Sequence, residues 1–284
     1  MAFDYQSLKN LTGAGFLDGA ISAAKIADRT IPTADIAPGN VTAGKLATNA
    51  VGLTSGNVTG VMPVSKGGTG LSSVGSANTI LRTNGSANGL EYAQIGLSGM
   101  QVFTGGGTWN RPAGVRYIRV KCQGAGGGAS GHGESGGAGG YSERILDVTG
   151  ISSVAITIGG GGGGTYYSGA GGNGNGSSFG PYLSAGGGHG ANRQNQHSGG
   201  VSGSGSGGDL NIHTGSGGAH HDSFGPGGTS HFGGAAPSGH PQGGHFSHNH
   251  QGHAAPGTGG TGGYFHGHRG SDGRPGIIVV EEYK

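Results

Sequence analysis

The chain has 284 residues, of which 74 are glycine, 31% are apolar and only 10% are charged, with a formal net charge of +2. That little apolar side chain excludes a conventional enzyme core spanning the chain. That little charge excludes disorder by self-repulsion and a broad basic field for nucleic acid. The single cysteine, Cys122, excludes an intrachain disulfide and a zinc site built on cysteine pairs. The first residues, Met1 to Asn10, lack the basic-then-apolar layout of a signal peptide, and no apolar run approaches the roughly 18 to 20 residues of a membrane helix. The expectation is a protein made in a cytosol, soluble and not membrane-embedded.

Residues 1–16 are short and mixed in character, and read as an anchoring segment. From 17 to 61 a repeat takes over. Ile21 to Thr30, Ile31 to Asn40 and Val41 to Ala50 are three copies of one decad, and Ile21, Ile26, Ile31, Ile36, Val41, Leu46 and Val51 recur every five residues. That spacing matches neither the 3.6 period of a helix nor the alternation of a strand, and Pro32 and Pro38 oppose a continuous helix. One large apolar residue in five leaves a single chain too little to bury. Three chains wound about an axis close each apolar ring, so the repeat predicts a homotrimeric shaft; a flexible linker is the alternative. Residues 62–100 lose the period and read as a neck of short β-prone pieces, such as Ala77 to Gly85, broken by Gly-Gly and Asn-Gly turns.

Residues 101–284 are the glycine-rich head, and all 14 histidines fall between His132 and His268. Ile118, Val120 and Cys122 alternate with Tyr117, Arg119 and Lys121, as in a half-buried strand, and Val154, Ile156 and Ile158 do the same. Tyr141 to Val148 is a poorer strand, and the uninterrupted Ile277 to Val280 reads as a buried central one. The expected arrangement is a small β framework, 101–158 plus 277–283, with Trp109 packed beneath it and 159–276 inserted as one ordered unit. Glycine loses the most backbone entropy on ordering, so its runs stay loose unless close packing compensates. Polyproline II helices offer that packing, because their free N–H and C=O groups bond sideways and glycine lets neighbours approach. The runs Gly136 to Gly140, Gly225 to Thr229 and Gly257 to Gly263 follow the required triplet. The fold class is therefore fibrous and mostly β or irregular, with a homotrimeric repeat shaft before a β framework that carries a polyproline II bundle.

Several stretches together resemble one family. The Ile-x-x-Ala-Lys-Ile-Ala decads, Pro63 to Gly70 with its Gly-Gly-Thr-Gly, the segment Phe103 to Val115 and the ending Asp272 to Tyr283 resemble parts of tailed-bacteriophage tail fibres and their glycine-rich adhesin heads. The resemblance implies a virion protein made in the host cytoplasm. It implies an N-terminus held by a baseplate or tail protein, and a head that binds a host surface polysaccharide or outer-membrane protein.

Clusters of His and aromatic residues interrupt the glycine runs, and rigid aromatic loops suit sugar and protein surfaces. The receptor-binding candidates are His220, His221, Phe224, His231, Phe232, His245, Phe246, His248, His250, Tyr264 and Phe265. The alternative for such residues, Phe179 and Tyr182 above all, is that they plug gaps between helices. His248-Asn-His250 and His266-Gly-His268 are His-x-His pairs, which put both imidazoles on one face and so qualify as transition-metal ligands; plain receptor contact is the competing reading. No catalytic motif stands out among the few acids, and no Lys-Ser/Thr follows the glycines as a phosphate loop requires. The reading is a non-enzymatic, host-recognising fibre. A free structural or ice-binding-like polyproline II protein is the alternative, to be separated by the mass in solution.

Overall fold

The computed structural model describes residues 31–42, 61–66, 68–167, 169–192, 198–219, 225–235, 254–263 and 269–284. The chain divides into Met1–Ser72 and Ser73–Lys284. In the first unit the described residues form two short 3-10 turns, Thr33–Asp35 and Val64–Lys66. Its repeat positions Ile31, Ile36 and Val41 are exposed.

The second unit begins with a hairpin, β1 (Thr79–Thr83) and β2 (Leu90–Gln94), closed across one side by an Arg82–Glu91 ion pair at 3.0 Å. Two antiparallel sheets follow. One has the order β11-β6-β5-β12-β3, built from Leu210–Ile212, Tyr141–Asp147, Tyr117–Gln123, Ile277–Tyr283 and Leu97–Phe103 respectively. The other has the order β10-β9-β8-β7-β4, built from Gly205–Ser206, Leu183–Ala185, Ser177–Phe179, Ser153–Thr157 and Gly107–Asn110. The alternating residues of β5 and β7 behave as the sequence predicts: Ile118, Val120 and Cys122 meet Val154 and Ile156 in a core shared by both sheets. The Ile277 to Val280 run is an interior strand, flanked by β5 and β3. Trp109 is fully buried and ties the sheets together, its indole N–H donating to Glu282 Oε1 at 2.8 Å.

Two expectations need adjustment. The strands β8 to β11 lie inside 159–276, so that interval supplies framework as well as insertion. Phe179 fills the core between the sheets, 5.9 Å from the Trp109 ring, and does not plug a gap between glycine segments.

Beyond the strands the chain is extended and bonded sideways. β5 runs directly into 124–130, and 134–140 runs back into β6. Segments 159–165, 171–176, 186–191, 198–204, 213–218 and 269–276 likewise continue or precede β7, β8, β9, β10, β11 and β12. The hydrogen bonds repeat every three residues. Gly124, Gly127 and Ser130 donate to Gly140, Gly137 and Glu134; Ala125 and Gly128 donate to Asn175 and Gly172; Gly126 and Ala129 donate to Arg274 and Ser271. Segment 134–140 repeats the scheme, with Ser135 and Ala138 on Gly218 and Gly215, Gly136 and Gly139 on Gly260 and Gly257, and Gly137 and Gly140 on His189 and Gly186.

These two segments are inner. Around them 159–165, 171–176, 186–191, 198–204, 213–218, 225–229, 257–263 and 269–276 each bond to the next, and the last bonds to the first through Gly273 to Gly162. At the glycines of these inner segments that face a neighbouring segment a Cβ has no room, whereas Ala125, Ala129 and Ala138 are accommodated and fully buried. A Cβ placed on Gly126, Gly127 or Gly137 lies 1.9, 2.1 or 2.2 Å from the carbonyl oxygen of Thr258, His189 or Val201. The residues facing outward in the ring lie three apart, as in Gly163/Tyr166, His189/Asn192, Val201/Ser204 and His213/Ser216, and all of these are exposed.

Burial pushes the Cys122 thiol up to about 12, against a smaller opposing hydrogen bond from the Ala185 backbone. The native protein is expected to leave a thiol-reactive dye such as DTNB unreacted at neutral pH and to consume one equivalent when unfolded in denaturant. Reaction of the native form at the rate of a free thiol contradicts the burial.

The outer face of the β11-β6-β5-β12-β3 sheet carries a charge network. Lys121 Nζ lies 2.5 Å from Glu281, and Arg119 lies 2.5 Å from Glu143 and 3.8 Å from Glu281. Lys121 holds the Glu281 carboxyl below its ordinary value, with burial opposing. For Glu143 burial pushes upward, but the Tyr141 hydroxyl and Arg119 outweigh it and the carboxyl also ends low. Both folded values lie below the unfolded ones, so this stabilisation is present at neutral pH. It is lost as pH falls from about 4.3 through the lowered values. The melting temperature is expected to drop steeply below about pH 4.5, and less steeply in a Glu143→Gln, Glu281→Gln double variant; parallel curves exclude the network as the cause.

Candidate binding surface

The fold gives the second unit two ends. β3 runs towards the glycine segments, because its first residue Leu97 pairs with Tyr283 and its last, Phe103, pairs with Ile278. The chain therefore enters the sheet at the end away from those segments, where the Lys284 amide donates to Gly96 at 3.2 Å. At the opposite end lie the turn 131–133 and the described residues that bracket four other connections: Tyr167 and Gly169, Asn192 and Ser198, Ala219 and Gly225, Gly263 and Arg269. Bonds from Gly225 to Gly133, Gly218 to Pro226, Gly263 to Ser130 and Gly270 to Thr165 hold these brackets together.

Polar side chains lock this far end where backbone groups run out of neighbours. The fully buried Ser130 and Glu134 side chains hydrogen-bond, and the His132 amide donates to Ser130 Oγ at 3.3 Å. Ser135 Oγ donates to the Gly225 carbonyl and accepts from the Gly262 amide at 2.9 Å. Asp272 Oδ1 takes the Gly164 amide at 2.6 Å and Arg269 at 2.7 Å. On this base stand Tyr166 and Tyr167, 47% and 56% exposed, with Tyr167 at a φ of 50° that a bulky residue seldom adopts. A turn that holds two phenol rings out at backbone cost is not a core feature, and its rings are open to contact.

Of the predicted receptor residues, His231 and Phe232 sit at the other end, beside the strands. The His231 ring stacks on Tyr141 at 3.7 Å and its amide donates to Gln123 Oε1 at 3.2 Å; Phe232 meets Tyr141 edge-on at 6.0 Å. They fasten the Ser230–Gly233 turn to the framework. His220, His221, Phe224, Tyr264 and Phe265 lie outside the described residues, although their brackets belong to the far end. His245, Phe246, His248 and His250 also lie outside them, within a stretch bracketed by Ala235 and Ala254 near the strands, where the Ala255 amide donates to Gly234. The metal candidates His248, His250, His266 and His268 all lie outside the described residues. Among those described, no group of three or more His, Cys, Asp or Glu side chains converges as metal ligands do. No described helix is long and apolar enough to cross a membrane.

A family model for a glycine-rich domain matches residues 102–283, from β3 to the end of β12. The chain belongs to the glycine-rich domain family. The matched span of this glycine-rich domain takes in both sheets apart from the first residues of β3, and every sideways-bonded segment, so framework and glycine segments form one family unit and not a domain with a low-complexity tail. Comparison with curated proteins finds no match to the chain. Sequence reasoning under-used Tyr166 and Tyr167, whose signal was an aromatic pair set between two glycine runs.

Proposed function

We propose that this protein is a bacteriophage tail-fibre protein that recognises the host-cell surface through the far end of its glycine-rich domain. In this reading the glycine segments are polyproline II helices, packed as two inner and eight outer members. The three-residue period of the hydrogen bonds and the absence of room for a Cβ at glycines such as Gly126, Gly127 and Gly137 support that packing. The period-five repeat is the shaft of a homotrimer held to a baseplate or tail protein of the virion, supported by the exposure of Ile31, Ile36 and Val41 in a lone chain. The head binds a host polysaccharide or outer-membrane protein without chemistry, and three heads per fibre add avidity.

The observation that carries the reading is the polarity of the domain. The chain enters at one end of the sheet, and the connections gather at the other with Tyr166 and Tyr167 exposed on them. An anchored adhesin needs that arrangement. The test is adsorption of the labelled full chain to a panel of bacterial strains. Tyr166→Ala with Tyr167→Ala, or replacement of 264–268 by a Gly-Ser linker, is expected to reduce adsorption at least about tenfold, the size of a lost interface anchor. His231→Ala is expected to retain it. Adsorption unchanged by every far-end variant sinks the assignment, and a monomeric mass in solution favours a free glycine-rich protein instead.

A further inference from the structure

We infer that the turn of the β1–β2 hairpin holds a self-modifying residue. Asn88 converts to an aspartyl or isoaspartyl residue by attack of the Gly89 amide nitrogen on its own side chain. The chain has four Asn-Gly pairs, at 84–85, 88–89, 173–174 and 175–176. In each, the glycine has no Cβ to crowd the attacking nitrogen. Ring closure also needs that nitrogen free of a hydrogen bond, the Asn Cα–C bond free to turn, and a side-chain amide not tied at both ends.

Three pairs fail one of these conditions. At Asn173 the attacking nitrogen is committed, because the Gly174 amide donates to the Gly188 carbonyl at 2.9 Å. At Asn175 the backbone is clamped on both sides. Its amide donates to Gly160 at 3.0 Å and its carbonyl accepts from Ala125 at 3.1 Å, so turning the Cα–C bond breaks contacts with two other glycine segments. Asn84 is clamped in the same way, its amide donating to Gly89 at 2.9 Å and its carbonyl accepting from Ala87 at 3.0 Å. Its side chain is tied at both ends as well: Oδ1 accepts from the Asn88 amide at 3.2 Å, and Nδ2 donates to Asn88 Oδ1 at 2.9 Å.

Asn88 meets every condition. It is exposed, and among the described residues neither its carbonyl nor the Gly89 amide nitrogen makes a hydrogen bond. Its side chain is held at Oδ1 alone, and that contact assists the reaction. The Asn84 Nδ2–H draws electron density from the carbon under attack, as a donor does at any developing oxyanion. The Gly89 nitrogen bonds to Asn88 Cγ, its proton passes through solvent to Nδ2, and the Cγ–Nδ2 bond breaks to release ammonia and leave a cyclic imide. Water then opens the imide. Addition at Cγ breaks the new bond and gives aspartate. Addition at the backbone carbonyl carbon breaks the original peptide bond, and the chain continues through Cβ and Cγ as isoaspartate. That longer path lies inside the loop whose ends pair through the Asn84 amide and Gly89, next to the Thr83–Leu90 pair, so it works against the register of the hairpin.

The test incubates the full chain in mildly alkaline buffer, folded and in denaturant, and follows each Asn-Gly pair by peptide mass mapping. Labelling of the peptides by an isoaspartyl methyltransferase gives a second reading. In the folded chain Asn88 is expected to convert at least about tenfold faster than Asn173 and Asn175 and at least about threefold faster than Asn84, the differences shrinking below about twofold in denaturant. Equal rates at the four pairs in the folded chain, or an Asn84 that outpaces Asn88, overturn the assignment. In the isoaspartyl fraction, amide exchange in β1 and β2 is expected at least about tenfold faster than in the unconverted chain. Unchanged exchange overturns the loosening of the hairpin.

Discussion

Gly137→Ala is expected to unfold the glycine-rich domain or cost it more than about 3 kcal/mol, whereas Gly160→Ala leaves stability unchanged or slightly raised. A Cβ on Gly137 lies 2.2 Å from the Val201 carbonyl oxygen and 2.5 Å from its carbon. What it meets is backbone, which has no rotamer to change. That backbone is itself held, because Gly200 and Gly203 donate to Ser135 and Ala138 on the same inner segment. Relief therefore requires moving a whole outer segment and breaking its bonds to its neighbours. Gly160 stands on the outward face, where a Cβ meets nothing nearer than Asn175 Nδ2 at 3.9 Å. There the substitution chiefly reduces the entropy of the unfolded chain. Urea unfolding followed by circular dichroism compares the two variants directly. Equal midpoints disprove backbone-on-backbone packing as the source of order.

Trp109→Ala is expected to cost about 3 to 5 kcal/mol by cavity formation, plus the penalty of stripping a buried carboxylate of a donor. The ring is fully buried between the sheets, tilted at 53° to Phe179, and its N–H shares Glu282 Oε1 with Gln101 Nε2 at 2.6 Å. Glu282 is itself 4% exposed, so its carboxyl oxygen relies on those donors in place of water. Trp109→Phe keeps most of the volume and loses only the donor, and about 1 to 3 kcal/mol is expected for it. Denaturant midpoints rank wild type, Phe and Ala in that order. An Ala variant within about 1 kcal/mol of wild type removes Trp109 from the role of joining the sheets.

What the sequence revealed and what it hid have separate physical causes. β5, β7 and β12 were legible because one or both faces of each are buried, which imposes alternation or an unbroken apolar run. β6 was harder: Leu146 faces the core, but Ser142 and Arg144 on the same side do not, since they lie where the sheet gives way to the glycine segments and β10. β8 and β9 have three residues each, too few to show any period. The runs that the triplet rule picked out, Gly136 to Gly140, Gly225 to Thr229 and Gly257 to Gly263, do bond sideways to other segments. The rule said nothing about which run lies beside which, because glycines are interchangeable as labels and the partners are named only by backbone bonds. The placement of the aromatic connections was half legible. Aromatic interruptions marked connections, but the sequence does not say at which end of the domain each emerges, so His231 and Phe232 were grouped with residues bracketed at the opposite end.

The inner segment 124–130 has one more consequence, for the order of events in synthesis. It leaves the ribosome well before Arg274 and Ser271, to which Gly126 and Ala129 donate. Its remaining bonds go to segments spread along everything between. The nascent chain therefore has no early stopping place at which its centre is satisfied, and the domain assembles as a whole only after the C-terminal strand has emerged. A chain cut short of β12 loses the contacts at the centre of the glycine-rich domain along with that strand, so synthesis of β12 acts as the checkpoint for a folded domain.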